Sequence, residues 1–170
     1  MAETCFENYP LPIVLLALLF AIASWVLGAL LVGAVAAWLG AAYVALCLLT
    51  LAATMCWRCK YCAYYGKRCY CGLGIPAGML FKKGNAAEFR ETKNLVPAAI
   101  FGFGTLLLPI IAGAYILLTA FSWDAMILLG IYLAVAVIPT FFLKKNLFCN
   151  HCRQAKLGCP AYEGMTGKRR

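Results

Sequence analysis

The sequence predicts an all-α membrane protein: four transmembrane helices arranged as two tandem repeated hairpins, with a small cysteine-rich module on the cytosolic face. Three observations predict it. The 170-residue chain is 65% hydrophobic and only 12% charged, where soluble domains carry about a quarter charged residues. Residues 11–55 contain no Asp, Glu, Lys, Arg or His. The stretch CKYCAYYGKRC, Cys59 to Cys69, has the spacing C-x2-C-x6-C, and that spacing returns ninety positions later in CNHCRQAKLGC, Cys149 to Cys159.

A helix spanning a bilayer needs about 20 apolar residues, so the first run divides into two helices. These are expected at Pro12 to Leu31 and Ala36 to Met55, with a tight turn at Val32 to Val35 around Gly33. In the second hairpin Asn94 is expected to cap a helix carrying Pro97 in its first turn and reaching Phe121. After Ser122-Trp123-Asp124, with Asp124 as N-cap, the fourth span runs from Ala125 to Leu143. The chain thus divides into an N-terminal segment at 1–10, hairpin 1 at 11–55, a basic loop at 56–94, hairpin 2 at 95–143 and a basic tail at 144–170.

All fifteen Lys and Arg fall in that loop (Arg58 to Lys93) or that tail (Lys144 to Arg170). Two hairpins put both termini and the loop on one side, and the positive-inside rule makes that side cytoplasmic. The protein is therefore expected to be a multi-pass component of the cell membrane. Its +9 net charge is read as a topology determinant and a contact to lipid headgroups, with the lipid bilayer as partner and no nucleic acid. Ala34-Val35-Ala36 has the look of a leader cleavage site, but the segment before the first span holds Glu3 and Glu7 and no cation, and a second span follows at once.

The repeat of hairpin, basic boundary and C-x2-C-x6-C suggests a duplicated unit of about ninety residues, packed as a four-helix bundle with approximate two-fold symmetry along the membrane normal. Ala37, Ala41, Ala45, Ala98 and Gly102 mark faces that permit close helix approach. Pro109 lies in the middle of the third span and Pro139 near the end of the fourth, each read as a static bend. Between the hairpins, Ile75 to Lys83 fits a short segment lying in the interface, and Asn85 to Glu88 resembles a capping box.

Eight cysteines fall on the basic side: Cys56, Cys59, Cys62, Cys69 and Cys71 in the loop, and Cys149, Cys152 and Cys159 in the tail. Eight is two sets of four, and paired C-x2-C knuckles supply the tetrahedral sulfur shell that zinc favours. Cys59 and Cys62 with Cys149 and Cys152 make one expected site, and Cys56, Cys69, Cys71 and Cys159 the other. Nearby Lys and Arg are expected to lower the thiol pKa values and offset the negative charge. His151, inside the tail's C-x2-C, is read as a surface neighbour of the ligands. Trp57, Tyr61, Tyr64, Tyr65, Tyr70, Phe141, Phe142 and Phe148 are read mainly as interfacial anchors.

Cys56 to Cys62, CWRCKYC, also resembles the opening of the bacterial ferredoxin run, with Cys159-Pro160 as the distant ligand. That resemblance implies an iron–sulfur cluster in a membrane electron carrier, although Ala63 to Gly66 stands where the usual fourth cysteine belongs. In span count and size the chain is similar to four-helix membrane oxidoreductases that pass electrons between a C-x2-C pair and quinone, but its thiols lie on the basic face. Soft-metal transport relayed through Cys47 is a further analogue, while Cys47 and Cys5 singly read as a core residue and an incidental one. The absence of a Ser/His/Asp set, paired membrane carboxylates or a nucleotide loop argues against an enzyme. The leading expectation is a zinc-bearing scaffold or docking platform for a cytosolic protein or a larger membrane complex.

Overall fold

The computed structural model describes residues 5–139, 142 and 147–167. Among these there are helices and no strands. Helix α1 covers Leu11–Val35, α2 Ala37–Trp57, α3 Gly74–Leu80, α4 Thr92–Thr119, α5 Trp123–Ile138, α6 Arg153–Lys156 and α7 Pro160–Thr166, with 3-10 turns at Cys59–Tyr61 and Ala86–Arg90.

Three helices are long and apolar enough to cross a membrane: Leu11–Val35, Ala37–Tyr61 counting the 3-10 turn that extends α2, and Thr92–Thr119. Helix α5 is apolar over 16 described residues, and the end of the expected fourth span at Leu143 lies outside the described residues, as do Phe141, Lys144, Lys145 and the last three basic residues. Leu15, Leu19, Ile22, Val26 and Leu30 form one outward row along α1, each more than half exposed. Such a row in water would be a severe liability, whereas against acyl chains it costs nothing.

The first turn corrects the sequence reading. Helix α1 continues through Val35, and the chain reverses at the single extended residue Ala36 (φ −160°, ψ 138°). The reversal is this tight because Gly33 and Gly40 face each other across it. A Cβ on Gly40 would sit 3.0 Å from the Gly33 Cα. Ala37, Ala41 and Ala45, expected to be the packing stripe, instead point outward, and Gly102 meets nothing within 4 Å. The face of α2 that packs is Gly40, Tyr43 and Cys47.

Two expected caps also move. Helix α4 begins at Thr92, so Pro97 stands in its second turn, and buried Asn94 uses its side chain to donate to the Glu88 carbonyl at 2.9 Å. Helix α5 begins one residue before Asp124, which lies in the first turn, where its charge suits the helix dipole. Asn85 does cap, accepting from the Ala87 N–H at 3.1 Å. Helix α3 leaves Met79 and Leu80 strongly exposed beside Lys82 and Lys83.

Helices α1 and α4 form the middle of the bundle, each packing against the other and against both α2 and α5. Tyr132 and Leu31 are fully enclosed there with Ala136, and Val32, Tyr43 and Cys47 make a second cluster. Cys47 is thus a packed core residue. Ser24, Thr50, Thr54 and Thr119 each return a side-chain hydrogen bond to a carbonyl of the preceding turn, so the few hydroxyls in the apolar helices are satisfied locally.

Candidate functional site

Beyond α2 the chain leaves the helix so that its cysteines can turn inward. Cys59 opens a 3-10 turn, and the Cys62 N–H donates to the Cys59 carbonyl at 3.2 Å. The tail does the same: the Cys152 N–H donates to the Cys149 carbonyl at 3.1 Å. Both C-x2-C sequences therefore curl through equivalent turns, as a ligand knuckle requires.

The second half of the loop is a tighter construction. Gly72 adopts φ +74° and reverses the chain just after Cys71, at a point where an added Cβ would meet Val14 and Leu18 of α1. Gly74 then passes so close to the Lys67 and Tyr64 carbonyls that no Cβ would fit. This brings the Gly74 N–H to the Cys69 sulfur at 3.2 Å, and the Cys69 and Cys71 sulfurs lie 3.3 Å apart. In the tail, Gly158 (φ +92°) leads to Cys159, which stands at the N-cap of α7 with Pro160 following at the first helical position.

The Gly74 N–H donates to the Cys69 sulfur, a bond that favours the thiolate. Burial and thiol neighbours oppose it and win. Burial pushes Cys62 up to about 12 and raises Cys152. Cys71 is pushed up to about 12, chiefly by its contact with the Cys59 thiol, and Cys69 is raised by Cys71 first and burial second. The expected lowering of thiol pKa values by nearby Lys and Arg is thus overturned for these four: the cations are mostly outside, and the sulfurs are within.

Loop and tail meet, and a third segment that sequence reasoning left out joins them. The Ala63 N–H donates to Gln154 Oε1 at 2.8 Å, and the Arg153 N–H donates to the Tyr64 hydroxyl at 3.0 Å. Tyr64 in turn donates to the Phe6 carbonyl at 2.7 Å. From the N-terminal segment, the Phe6 N–H reaches the His151 carbonyl and the Tyr9 N–H the Arg68 carbonyl. The Tyr9 hydroxyl donates to the Phe148 carbonyl and also meets the Cys152 thiol. The rings of Tyr70 and Phe148 stack at 5.1 Å, and His151 lies against Phe6.

Expected interfacial aromatics thus prove to be interior: Tyr61, Tyr64 and Phe148 are buried, and Tyr70 packs on the Tyr9–Tyr64–Cys69 cluster. Phe142 alone among the described members of that set is strongly exposed. The only advance signal for the N-terminal segment was Phe6 and Tyr9 standing just before an apolar span.

The structure brings seven of the eight candidate thiols into one neighbourhood. Cys62 lies within electrostatic reach of Cys152, Cys69 and Cys159, and Tyr70 within reach of Cys71, Cys149, Cys69 and Cys152. Cys59 lies within electrostatic reach of Cys71. Cys56 sits in the last turn of α2, half-buried, and no thiol contact joins it to the others among the described residues. Nor, among those residues, do three or more Cys, His, Asp or Glu side chains close to metal-holding distance.

What fold and site together define is an all-helical protein with membrane-length apolar helices and a cluster of thiols where its loop, tail and N-terminal segment meet. Compared with protein families, with curated proteins and with solved structures, the chain matches none.

Proposed function

We propose that this is a four-span integral membrane protein whose cytosolic, cysteine-ligated module holds zinc and serves as a structural scaffold or docking platform. One observation carries the reading: Cys62, Cys69 and Cys71 of the loop and Cys152 of the tail pack on one buried cluster, and the Gly74 N–H donates to the Cys69 sulfur at 3.2 Å. Such a donor fixes a thiolate ligand and tunes its basicity in metal–sulfur sites. In protonated form the sulfurs pair with one another, as Cys69 does with Cys71. A cation displaces those protons and exchanges sulfur–sulfur contacts for sulfur–metal bonds.

The packing pattern supports the duplicated hairpin. Exchanging α1 with α4 and α2 with α5 maps every pair of packed membrane helices onto another packed pair. The matched C-x2-C turns support the same duplication. A bundle of this kind delivers both thiol sets to one end, where metal ties loop to tail.

An iron–sulfur electron carrier is the second reading, favoured by the approach of Cys159 to Cys62, as a distant Cys-Pro ligand requires. Metal analysis of anaerobically purified protein with a visible spectrum separates the two. Zinc without colour supports the platform, iron with visible absorption supports the carrier, and neither metal ends both.

A further inference from the structure

Helix α3 is built the wrong way round for water. The side it turns inward is Gly74, Ala77 and Gly78, and the side it leaves open carries Ile75, Met79 and Leu80, with Met79 82% exposed. A surface helix in water hides its large apolar residues and shows polar ones, yet no polar side chain occurs from Leu73 to Phe81. The orientation is fixed by the turn beneath it. The Gly66 N–H donates to the Gly74 carbonyl at 2.9 Å, and the Tyr65 hydroxyl donates to the Phe81 carbonyl at 2.6 Å. A Cβ on Gly78 would stand 2.9 Å from the Gly66 Cα, so only the small face can lie inward.

The helix also sits at a particular depth. It packs against α2, and at the Gly72 turn that leads into it an added Cβ would meet Val14 and Leu18 at 3.5 and 3.6 Å. Helix α1 has 25 residues and rises about 37 Å, against a hydrocarbon core of about 30 Å. A turn level with Val14 and Leu18, about 5 to 10 Å along α1 from Leu11, therefore stands at the rim of the hydrocarbon. Lys82 and Lys83 follow α3 at once, both exposed, and among the described residues no carboxylate lies within ion-pair distance of either. Protein interfaces are depleted in lysine, whereas at a membrane surface its stem lies along acyl chains and its ammonium group stays with the headgroups.

We propose that α3 and the lysine pair after it form a seat for anionic phospholipid. Ile75, Met79 and Leu80 enter the boundary between headgroups and acyl chains, and Lys82 and Lys83 hold the headgroup phosphates. The inference rests on the membrane reading above and is independent of any metal.

The test uses the full chain in vesicles of phosphatidylcholine alone, or of two-thirds phosphatidylcholine and one-third phosphatidylglycerol, with hydrogen exchange read at 77–81. Phosphatidylglycerol is expected to slow exchange there by up to about 30-fold, about fivefold for each lysine at an anionic surface. Lys82→Gln should keep about fivefold of that slowing and Lys82→Gln with Lys83→Gln none of it, and high salt should erase it in the wild type. A diazirine side chain in place of Met79 should label acyl chains, as should one in place of Leu15 on the outward row of α1. Exchange at 77–81 that ignores phosphatidylglycerol overturns the headgroup contact. Labelling of protein from position 79 overturns the seat in favour of a second copy or another partner chain. Failure of position 15 to label lipid overturns the membrane reading itself, and the seat with it.

Discussion

The Tyr43 hydroxyl donates to the Thr105 carbonyl at 2.8 Å, and Thr105 is the residue four positions before Pro109. In a helix that carbonyl would bond the N–H of residue 109, which proline lacks. Tyr132 adds a second donor at 3.3 Å and also takes the Leu106 carbonyl at 3.0 Å. The proline is thus supported by phenols from the helices on either side, and α4 runs on through it. Tyr43→Phe is expected to cost about 0.6 kcal/mol, the average for a hydrogen bond between membrane helices, and no more than about 1.7 kcal/mol. The double variant with Tyr132→Phe should cost more than the two single losses added together, because either phenol alone partly serves the carbonyl. In a Pro109→Ala background the restored N–H serves it, and Tyr43→Phe should become nearly neutral. Reversible unfolding in mixed micelles measures this cycle.

Gly28 lies directly beneath the same group. A Cβ there would stand 2.5 Å from the Tyr43 hydroxyl and 2.9 Å from Pro109 Cγ. Gly28→Ala is therefore expected to destabilise by about 1–3 kcal/mol, as overpacking does. Gly102→Ala, with nothing within 4 Å of the added carbon, should be neutral or slightly stabilising through helix propensity. Thermal melts of the two variants side by side check the contrast.

These two relationships show what the sequence could and could not disclose. Uninterrupted apolar stretches mark membrane-length helices because hydrocarbon demands length and composition, and both are legible one residue at a time. Which face packs is not legible in that way. The Ala37, Ala41, Ala45 row has the right spacing and faces outward, while Gly28 and Gly40 matter because of what crosses them. The thiol spacing marks two C-x2-C turns, but the approach of the Gly74 N–H and the Cys71 sulfur to Cys69 depends on the reversal at Gly72, which spacing does not disclose. Phe6 and Tyr9 gave little warning, since a segment of ten residues has no periodicity to read. The aromatics looked like membrane anchors because composition cannot tell a lipid interface from the interior of a small folded cap.

Tyr64 joins all three segments of that cap through one oxygen, accepting from Arg153 and donating to Phe6. Tyr64→Phe keeps the buried ring and orphans both backbone groups. A loss of about 1–3 kcal/mol per group left unpaired is expected in the cap. Hydrogen exchange should speed up at 5–9 and at 152–155, with the spanning helices unchanged.

The N-terminal segment is also held by Glu7, which pairs with Lys67 at 2.7 Å. The Lys67 hydrogen bond and charge keep the Glu7 carboxyl below its ordinary value. A lowered carboxylate stabilises fully above its unfolded pKa, near 4.5, and its contribution fades as pH falls through the lower folded value. Protection of residues 5–9 should therefore drop on acidification below about pH 4.5. Glu7→Gln should remove this dependence, and salt should weaken the link at neutral pH because the pair is exposed.

Cys62 and Cys152 come from different parts of the chain, and each lies within electrostatic reach of the other and of Cys159. If loop and tail share one ion, Cys62→Ala and Cys152→Ala should each release it, and the double variant should release no more. Cys56→Ala, lacking a thiol contact to the others, should leave the metal content unchanged. Gly74→Ala, which cannot keep the N–H to Cys69 without moving the Lys67 and Tyr64 carbonyls, should lose affinity although every sulfur remains. Uptake must also expel protons. With Cys62 held up near 12 and Cys152 raised by burial, both are protonated at neutral pH in the metal-free protein, so zinc affinity should climb as pH rises from 6 to 8, in the range about neutrality where thiolate metal sites are strongly pH-dependent. Metal content measured for each variant, with a pH-stat trace during zinc addition, decides it: two single cysteine variants that retain full metal, or uptake without proton release, would remove the shared site.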